Sequence, residues 1–299
     1  MAILVAAGFD DDEWAAWWPL LRAALPNERL LRDRAAVGAH EIDIALVANP
    51  APGSLRGLPN LRLIQSLWAG VDRLLDDASV PVDVPLTRMV DPAMNETMAQ
   101  TASWAVGSLQ RDFFDYAVQQ RAGVWRPHAL RRADELTVAV LGTGQMGQAT
   151  ARRLAQQGYR VLGWNRRAGP LAPVLAQSDV VVNLLPLTPD TRGLLNAATF
   201  AQMPRGASLV NLARGAHVVE ADLLAALASG HLRHAVLDVF ATEPLPAAHP
   251  FWSHPAVTVL PHVAAPTDPR SAASIAARNI AALRESVPLQ HLVDRTRGY

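Results

Sequence analysis

The chain of 299 residues contains no cysteine. Disulfides, thiolate zinc sites, iron–sulfur clusters and a cysteine nucleophile are thereby excluded. It also lacks an excess of charge, since 27 basic residues face 27 acidic ones. No global field therefore favours nucleic acid or an anionic membrane as a partner. Long apolar runs are missing too, because charges or Pro and Gly interrupt each one before it could span a bilayer. The opening MAILVAAGFDDDEW turns acidic after a few apolar residues, without the basic region and long apolar core of a signal peptide. The expectation is a cytoplasmic protein. Internal repeats and low-complexity tracts are absent, and the nine His residues show no ligand spacing with nearby acids, so no metal site is expected.

Half of the residues are hydrophobic and 18% are charged, which is a globular composition. The length suffices for two domains, each with its own core. Short aliphatic runs at 3–7, 42–47 and 61–66 read as strands, and 11–25 reads as a helix that opens with acids. The stretch 95–122 reads as one extended helix, broken by GVWRPH at 123–128. A more regular series begins at residue 136, with strands expected over 136–141, 159–164, 179–185, 207–212, 235–239 and 257–260. Helices are expected over 146–157, 221–229 and 271–285. Strands alternating with helices imply parallel sheets. The expected fold is α/β, with two doubly wound, Rossmann-like parallel-sheet domains and the cofactor domain inserted into the substrate domain. The boundaries read as 1–97 plus 268–299 for the substrate domain and 98–267 for the dinucleotide domain.

Gly142-Thr143-Gly144-Gln145-Met146-Gly147 is G-x-G-x-x-G, placed after an expected strand and opening an expected helix. Gly142 permits the tight turn, Gly144 lets the backbone approach a pyrophosphate, and Gly147 lets helix and strand pack closely. The helix N-terminus then favours the phosphate charge. After the next strand come Asn165, Arg166 and Arg167, with no acid to hold ribose hydroxyls. Two guanidiniums suit a 2′-phosphate, so NADPH is preferred and NADH remains possible. The bland alternative is a solvated basic turn.

Arg214, Glu243 and His262 each follow an expected strand, at the end where open α/β sheets bind ligands. Reduction of a 2-keto acid needs a hydride at C2 and a proton on the carbonyl oxygen. His can give that proton, a neighbouring carboxylate steadies the imidazolium, and Arg can pair with a substrate carboxylate. Taken singly, each has a bland reading: a strand-end histidine, a surface acid, a surface ion pair.

Together with the motifs AGVDRL at 69–74, VAVLGTGQMG at 138–147, NLLPLTPDTRGLLN at 183–196, NLARGAHVVEADLLAAL at 211–227, LDVFATEPLP at 237–246, PHVAAPT at 261–267 and the terminal VDRTRGY, these residues resemble the D-2-hydroxyacid dehydrogenase family, most of all its glyoxylate/hydroxypyruvate reductase A branch. The resemblance covers nearly the whole chain. It implies a proton-donating His262, its partner Glu243, and a substrate-binding Arg214. It implies that backbone N–H groups of the Ala69–Gly70–Val71 loop bind the substrate carboxylate, with the substrate in a cleft between domains. It extends the cofactor contacts to Gln145, Met146, Leu185, Pro186, Thr191, Leu212, Ala213, Asp238 and Ala264. It also implies a homodimer joined through the cofactor domain by a segment like 113–127. Trp125 in that segment either reaches the partner's active site or packs at a domain boundary.

Trp68 stands where the family's loop has a small residue, and Asn49-Pro50-Ala51-Pro52 replaces a segment that often carries an aromatic. Trp68 either narrows the pocket, stacks on an aromatic substrate or packs below the loop. Arg88 and Met94 are further pocket candidates, Arg88 with a structural ion pair as its alternative. The leading expectation is NADPH-linked reduction of glyoxylate or hydroxypyruvate to glycolate or D-glycerate. The alternatives are reduction of larger 2-keto acids, such as phenylpyruvate or a branched-chain keto acid, and a non-catalytic dinucleotide sensor.

Overall fold

A computed structural model describes residues 1–298. In chain order its elements are β1 (Ala2–Ala7), α1 (Asp11–Ala24), β2 (Leu30–Leu31), β3 (Ile42–Ala48), β4 (Leu63–Ser66), α2 (Asp72–Asp76) and β5 (Leu86–Thr87). Then come α3 (Pro92–Gln110), α4 (Phe113–Arg121), β6 (Thr137–Leu141), α5 (Gln145–Gln156), β7 (Arg160–Trp164), α6 (Ala172–Leu175) and β8 (Val180–Asn183). The remainder is α7 (Ala197–Phe200), β9 (Ala207–Asn211), α8 (Glu220–Ala228), β10 (Leu232–Leu237), β11 (Val257–Val259) and α9 (Pro269–Arg284). The chain divides into two compact units. One holds residues 1–93 and the chain from Thr267 on; the other holds Met94–Pro266. Among the described residues no helix is long and apolar enough to cross a membrane.

The first unit is built on a five-stranded sheet in the order β2-β1-β3-β4-β5, parallel throughout. β3 is buried at every position, as a central parallel strand covered on both faces must be. One face packs Trp17 and Leu21 of α1 with Ile275, Ala276 and Ile280 of α9; the other packs Leu55, Leu58, Leu74 and Val80. Asp10 caps α1 through a reciprocal capping box with Glu13.

The second unit carries a six-stranded parallel sheet in the order β11-β10-β9-β8-β6-β7. Chain order reverses at β6, which pairs with β7 on one side and β8 on the other. Such a switch point opens a crevice beyond the strand ends, and the glycine turn leaves β6 there. Met98, Ala102, Val106 and Leu109 of α3 pack with Leu154 of α5 in one of its core clusters. Leu175, Phe200, Leu223 and Leu227 belong to another.

The doubly wound α/β class expected from the alternation is the observed one. The single helix expected over 95–122 is not: α3 ends at Gln110 and α4 starts at Phe113. Asp112 between them adopts φ +57°, the left-handed region that Asp tolerates better than most residues. Its carboxylate is held by Arg233 of β10 and by His128 Nδ1 at 2.8 Å, so a tertiary network reverses the chain where no Gly or Pro stands. Sequence reading also passed over β2 and β5, the two-residue edge strands that complete the first sheet.

Candidate active site

His262 lies three residues past β11, at φ +56°. That turn is not free to relax. The His262 N–H donates to the Asp238 carbonyl at 2.9 Å, and the Asp238 carboxylate accepts from Val263 N (2.7 Å) and Ala264 N (3.0 Å). Asp238 is buried, which pushes its carboxyl up, against the opposing pull of those two N–H donors. It therefore anchors the histidine's backbone.

His262 Nδ1 lies 2.8 Å from Glu243 Oε2, and Glu243 Oε1 accepts the Phe240 N–H at 2.9 Å. Both carboxylate oxygens are engaged, so the acid has one orientation. Burial opposes charge on Glu243. The His262 and Phe240 hydrogen bonds, with the charges of His262 and Arg214, outweigh it and hold the carboxyl below its ordinary value. With a proton on Nδ1 facing the carboxylate, Nε2 is the nitrogen left for chemistry. Half of the His262 side chain is exposed, against 23% of Glu243, so the reactive ring is presented and its orienting acid is recessed.

Arg214 follows β9. Its carbonyl accepts Asn211 Nδ2 at 3.0 Å, and Asn183 at the end of β8 donates to Asn211 Oδ1 at 2.9 Å. Gly215 is required beside it, because a methyl there would overlap the Phe240 backbone. This close approach sets the Arg214 loop against the loop that carries Glu243. Arg214, Glu243 and His262 are thus brought together at the carboxyl ends of β9, β10 and β11.

The glycine turn has the shape a diphosphate needs. Gly142 sits at φ +99°, and a Cβ there would come within 2.6 Å of the Leu184 carbonyl oxygen. A Cβ on Gly147 would overlap the Gly142 carbonyl oxygen, so helix and turn pack without a side chain between them. Gly144 is the reverse case: it is exposed, and an added Cβ would meet nothing within 4 Å. It caps α5 without any side-chain cap, and the first intrahelical bond runs from Gln148 N to the Gly144 carbonyl at 2.8 Å. The N–H groups of Gln145, Met146 and Gly147 precede that bond, at the positive end of the helix dipole.

Asn165 follows β7 and ties it to this turn by donating from Nδ2 to Thr143 Oγ1 at 2.6 Å, while its Oδ1 accepts the Arg167 N–H at 2.9 Å. Arg166 and Arg167 are both exposed. Arg166 pairs with Asp190 from the loop after β8, an acid that linear reading did not associate with this turn. Arg167 has no side-chain partner among the described residues. Leu185, Thr191, Leu212, Ala213, Asp238 and Ala264 are buried, and Thr191 Oγ1 donates to the Pro186 carbonyl at 2.7 Å.

In the first unit Trp68 packs edge-on against Trp17 and Phe9, with ring centroids 5.6 and 6.0 Å away. Its N–H and C=O both bond the Ser66 hydroxyl (3.0 and 2.9 Å), and the Met89 N–H donates to the same carbonyl. Ala69 and Gly70 are partly exposed, and Val71 is the buried N-cap residue before α2. Arg88 has no ion pair among the described residues, so a structural ion pair does not account for it; partial burial lowers its pKa. Met94 is buried. One grouping of possible metal ligands occurs among the described residues, Asp112, Asp115 and His128, with ligand atoms within 4.8 Å of one another. Arg233 pairs with both of those acids and already supplies the positive charge.

The family profile for D-isomer specific 2-hydroxyacid dehydrogenase, NAD binding domain, matches residues 104–264. The glyoxylate/hydroxypyruvate reductase A of Yersinia enterocolitica is 37% identical over 300 residues, covering 95% of this chain and 96% of the relative. A D-isomer specific 2-hydroxyacid dehydrogenase from Xanthobacter autotrophicus Py2, solved with NADPH and MES, superposes with a TM-score of 0.92 at 40% identity, covering 100% of this chain and 99% of that one. The NADPH-dependent glyoxylate/hydroxypyruvate reductase of Sinorhizobium meliloti, solved with NADP and sulfate, gives 0.93 at 35% identity with the same coverage.

Proposed function

The chain belongs to the D-isomer specific 2-hydroxyacid dehydrogenase family and is an NAD(P)-dependent oxidoreductase, and from that premise we propose that it uses NADPH to reduce glyoxylate or hydroxypyruvate to glycolate or D-glycerate. The observation that carries this reading is the 2.8 Å pairing of His262 Nδ1 with Glu243, in the field of Arg214. The glycine turn is the natural seat for the cofactor's diphosphate, and the two similar proteins solved with NADPH or NADP support that choice of dinucleotide. Arg166 and Arg167 are the side chains for its 2′-phosphate.

The nicotinamide, when bound, supplies a hydride to the carbonyl carbon. The remaining work belongs to the protein. Arg214 pairs with the substrate carboxylate and draws electron density toward the carbonyl oxygen. His262 gives that oxygen a proton from Nε2. Glu243 holds the ring in register through Nδ1 and offsets the positive charge that the ring carries before transfer. Asp238 keeps the His262 turn from shifting through its two N–H contacts. The Trp68 ring that would stack on an aromatic keto acid is engaged edge-on with Phe9 and Trp17, which supports the smaller acids.

A panel of glyoxylate, hydroxypyruvate, phenylpyruvate and branched-chain keto acids, followed at the nicotinamide absorbance, tests the proposal. Preference for the two small acids is expected. No turnover with any of them would leave a dinucleotide sensor, and preference for phenylpyruvate would make Trp68 a substrate contact. The same reading includes a homodimer formed through the segment after α3. Its support is a run of exposed apolar side chains, Phe113, Val118, Val124 and Trp125, the last 98% exposed. Sedimentation equilibrium at the mass of two chains is the expected result, and a single-chain mass removes the dimer.

A further inference from the structure

We propose that His217 is a positioning residue that couples the loop after β8 to the loop bearing Arg214, so that a bound dinucleotide tightens the protein's hold on a substrate carboxylate. The inference rests on the reading above, in which the β8 loop contacts the cofactor and Arg214 contacts the substrate.

The imidazole of His217 is completely buried. Its Nδ1 lies 3.1 Å from the Arg214 carbonyl oxygen and its Nε2 lies 3.2 Å from the Pro186 carbonyl oxygen. Both partners can only accept. A neutral ring donates to one of them and an imidazolium to both. In either state the flat ring is a spacer of fixed width between two loops. Each carbonyl is also held from its own side. Pro186 O accepts the Thr191 hydroxyl at 2.7 Å, and Arg214 O accepts Asn211 Nδ2 at 3.0 Å. The histidine's own carbonyl is fixed by the Leu195 N–H at 2.9 Å. With the ring fully buried and both carbonyls already held, little slack is left to absorb a shift of the β8 loop. It is passed through the ring to the backbone of Arg214, and from there to the guanidinium. By linkage the effect runs equally in the other direction.

The test measures binding, not turnover. Oxamate, a keto-acid analogue that accepts no hydride, is titrated into the protein with and without NADPH. In the wild type NADPH is expected to tighten oxamate by about tenfold. His217→Leu fills the cavity without a donor and is expected to bring that ratio close to one. His217→Asn places an amide nitrogen near Nδ1, and His217→Gln places one near Nε2. Each keeps one link and loses the bridge, so each is expected to lose most of the coupling even where Leu fails to fold. A role in packing alone predicts lower thermal stability with the ratio unchanged. An unchanged ratio in the Asn and Gln variants overturns the proposal, as does a wild-type ratio near one. A wild type that binds oxamate but no NADPH overturns the site reading, and the coupling with it. A wild type that binds both ligands independently overturns the coupling alone.

Discussion

Gly144 and Gly147 stand in one turn, yet the same substitution should act on them in opposite ways. At Gly144 a methyl meets nothing within 4 Å, and the backbone, at φ −72° and ψ −169°, is open to any L-residue. Gly144→Ala should therefore leave the fold intact, because the gain from a less flexible unfolded chain is offset by the poorer capping of α5 by Ala, for a net change within about 1 kcal/mol. At Gly147 the methyl would overlap the Gly142 carbonyl oxygen, which is backbone and cannot step aside. Gly147→Ala should cost about 3 kcal/mol or more, because helix α5 must move away from the turn. The functional effects do not follow the structural ones. The open space over Gly144 is where a diphosphate would approach the N–H groups of α5, so Gly144→Ala should weaken NADPH at least about tenfold, equivalent to 1.4 kcal/mol. Urea unfolding and calorimetric titration with NADPH, run on both variants, separate the two effects. If Gly144→Ala binds NADPH like the wild type, the turn is not the phosphate site. If Gly147→Ala is as stable as the wild type, the tight helix–turn packing is wrong.

His262→Ala should lower kcat by about 10²–10⁴ with the NADPH dissociation constant unchanged, since only the proton donor is removed; a lost cofactor affinity would make the residue structural. Replacing Arg166 and Arg167 together by Ala should raise the KM for NADPH far more than that for NADH, and equal effects would leave the pair as a solvated turn. His234 is pushed down to about 4 by burial, with Asp115 opposing and Arg233 and His254 assisting, so it is neutral in the folded protein at pH 7. The unfolded chain binds the extra proton first, so stability should fall as the pH drops from about 6.5 to about 4, by about 3 kcal/mol over that window. His234→Gln should flatten that part of the urea-stability curve, and an identical slope in both proteins would refute the assignment.

Much of the fold was legible because its strands are short aliphatic runs bounded by turn residues. β3, β6, β8 and β9 are buried nearly end to end, and such strands show as continuous apolar runs. β2 and β5 were not legible. Two residues carry no period, and these strands exist only because an adjoining strand offers its edge. The reversal at Asp112 was hidden for a different reason. Asp112 is held there by His128 and by Arg233, the latter 121 positions away, and no local propensity encodes a contact at that distance.

The candidate site divides along the same line. Arg214, Glu243 and His262 could be read because proton transfer and carboxylate binding restrict which residue types can serve, and each follows a strand. Asp238 and His217 carry no such mark. The resemblance offered Asp238 only as a cofactor contact; that its two oxygens hold the turn under His262 appears only in the folded chain. His217 meets a carbonyl 31 positions upstream. What selects these two residues is the gap between loops already placed by the sheet, a quantity that appears only once the chain is folded. Chemistry at the rim tolerates few residue types but some movement; a buried strut tolerates other types only if they preserve its length. Aspartate, asparagine and serine at position 238 should therefore rank by how well they reach Val263 N and Ala264 N. If activity instead followed the charge at position 238 regardless of reach, Asp238 would be acting on the reaction itself and not on the placement of His262.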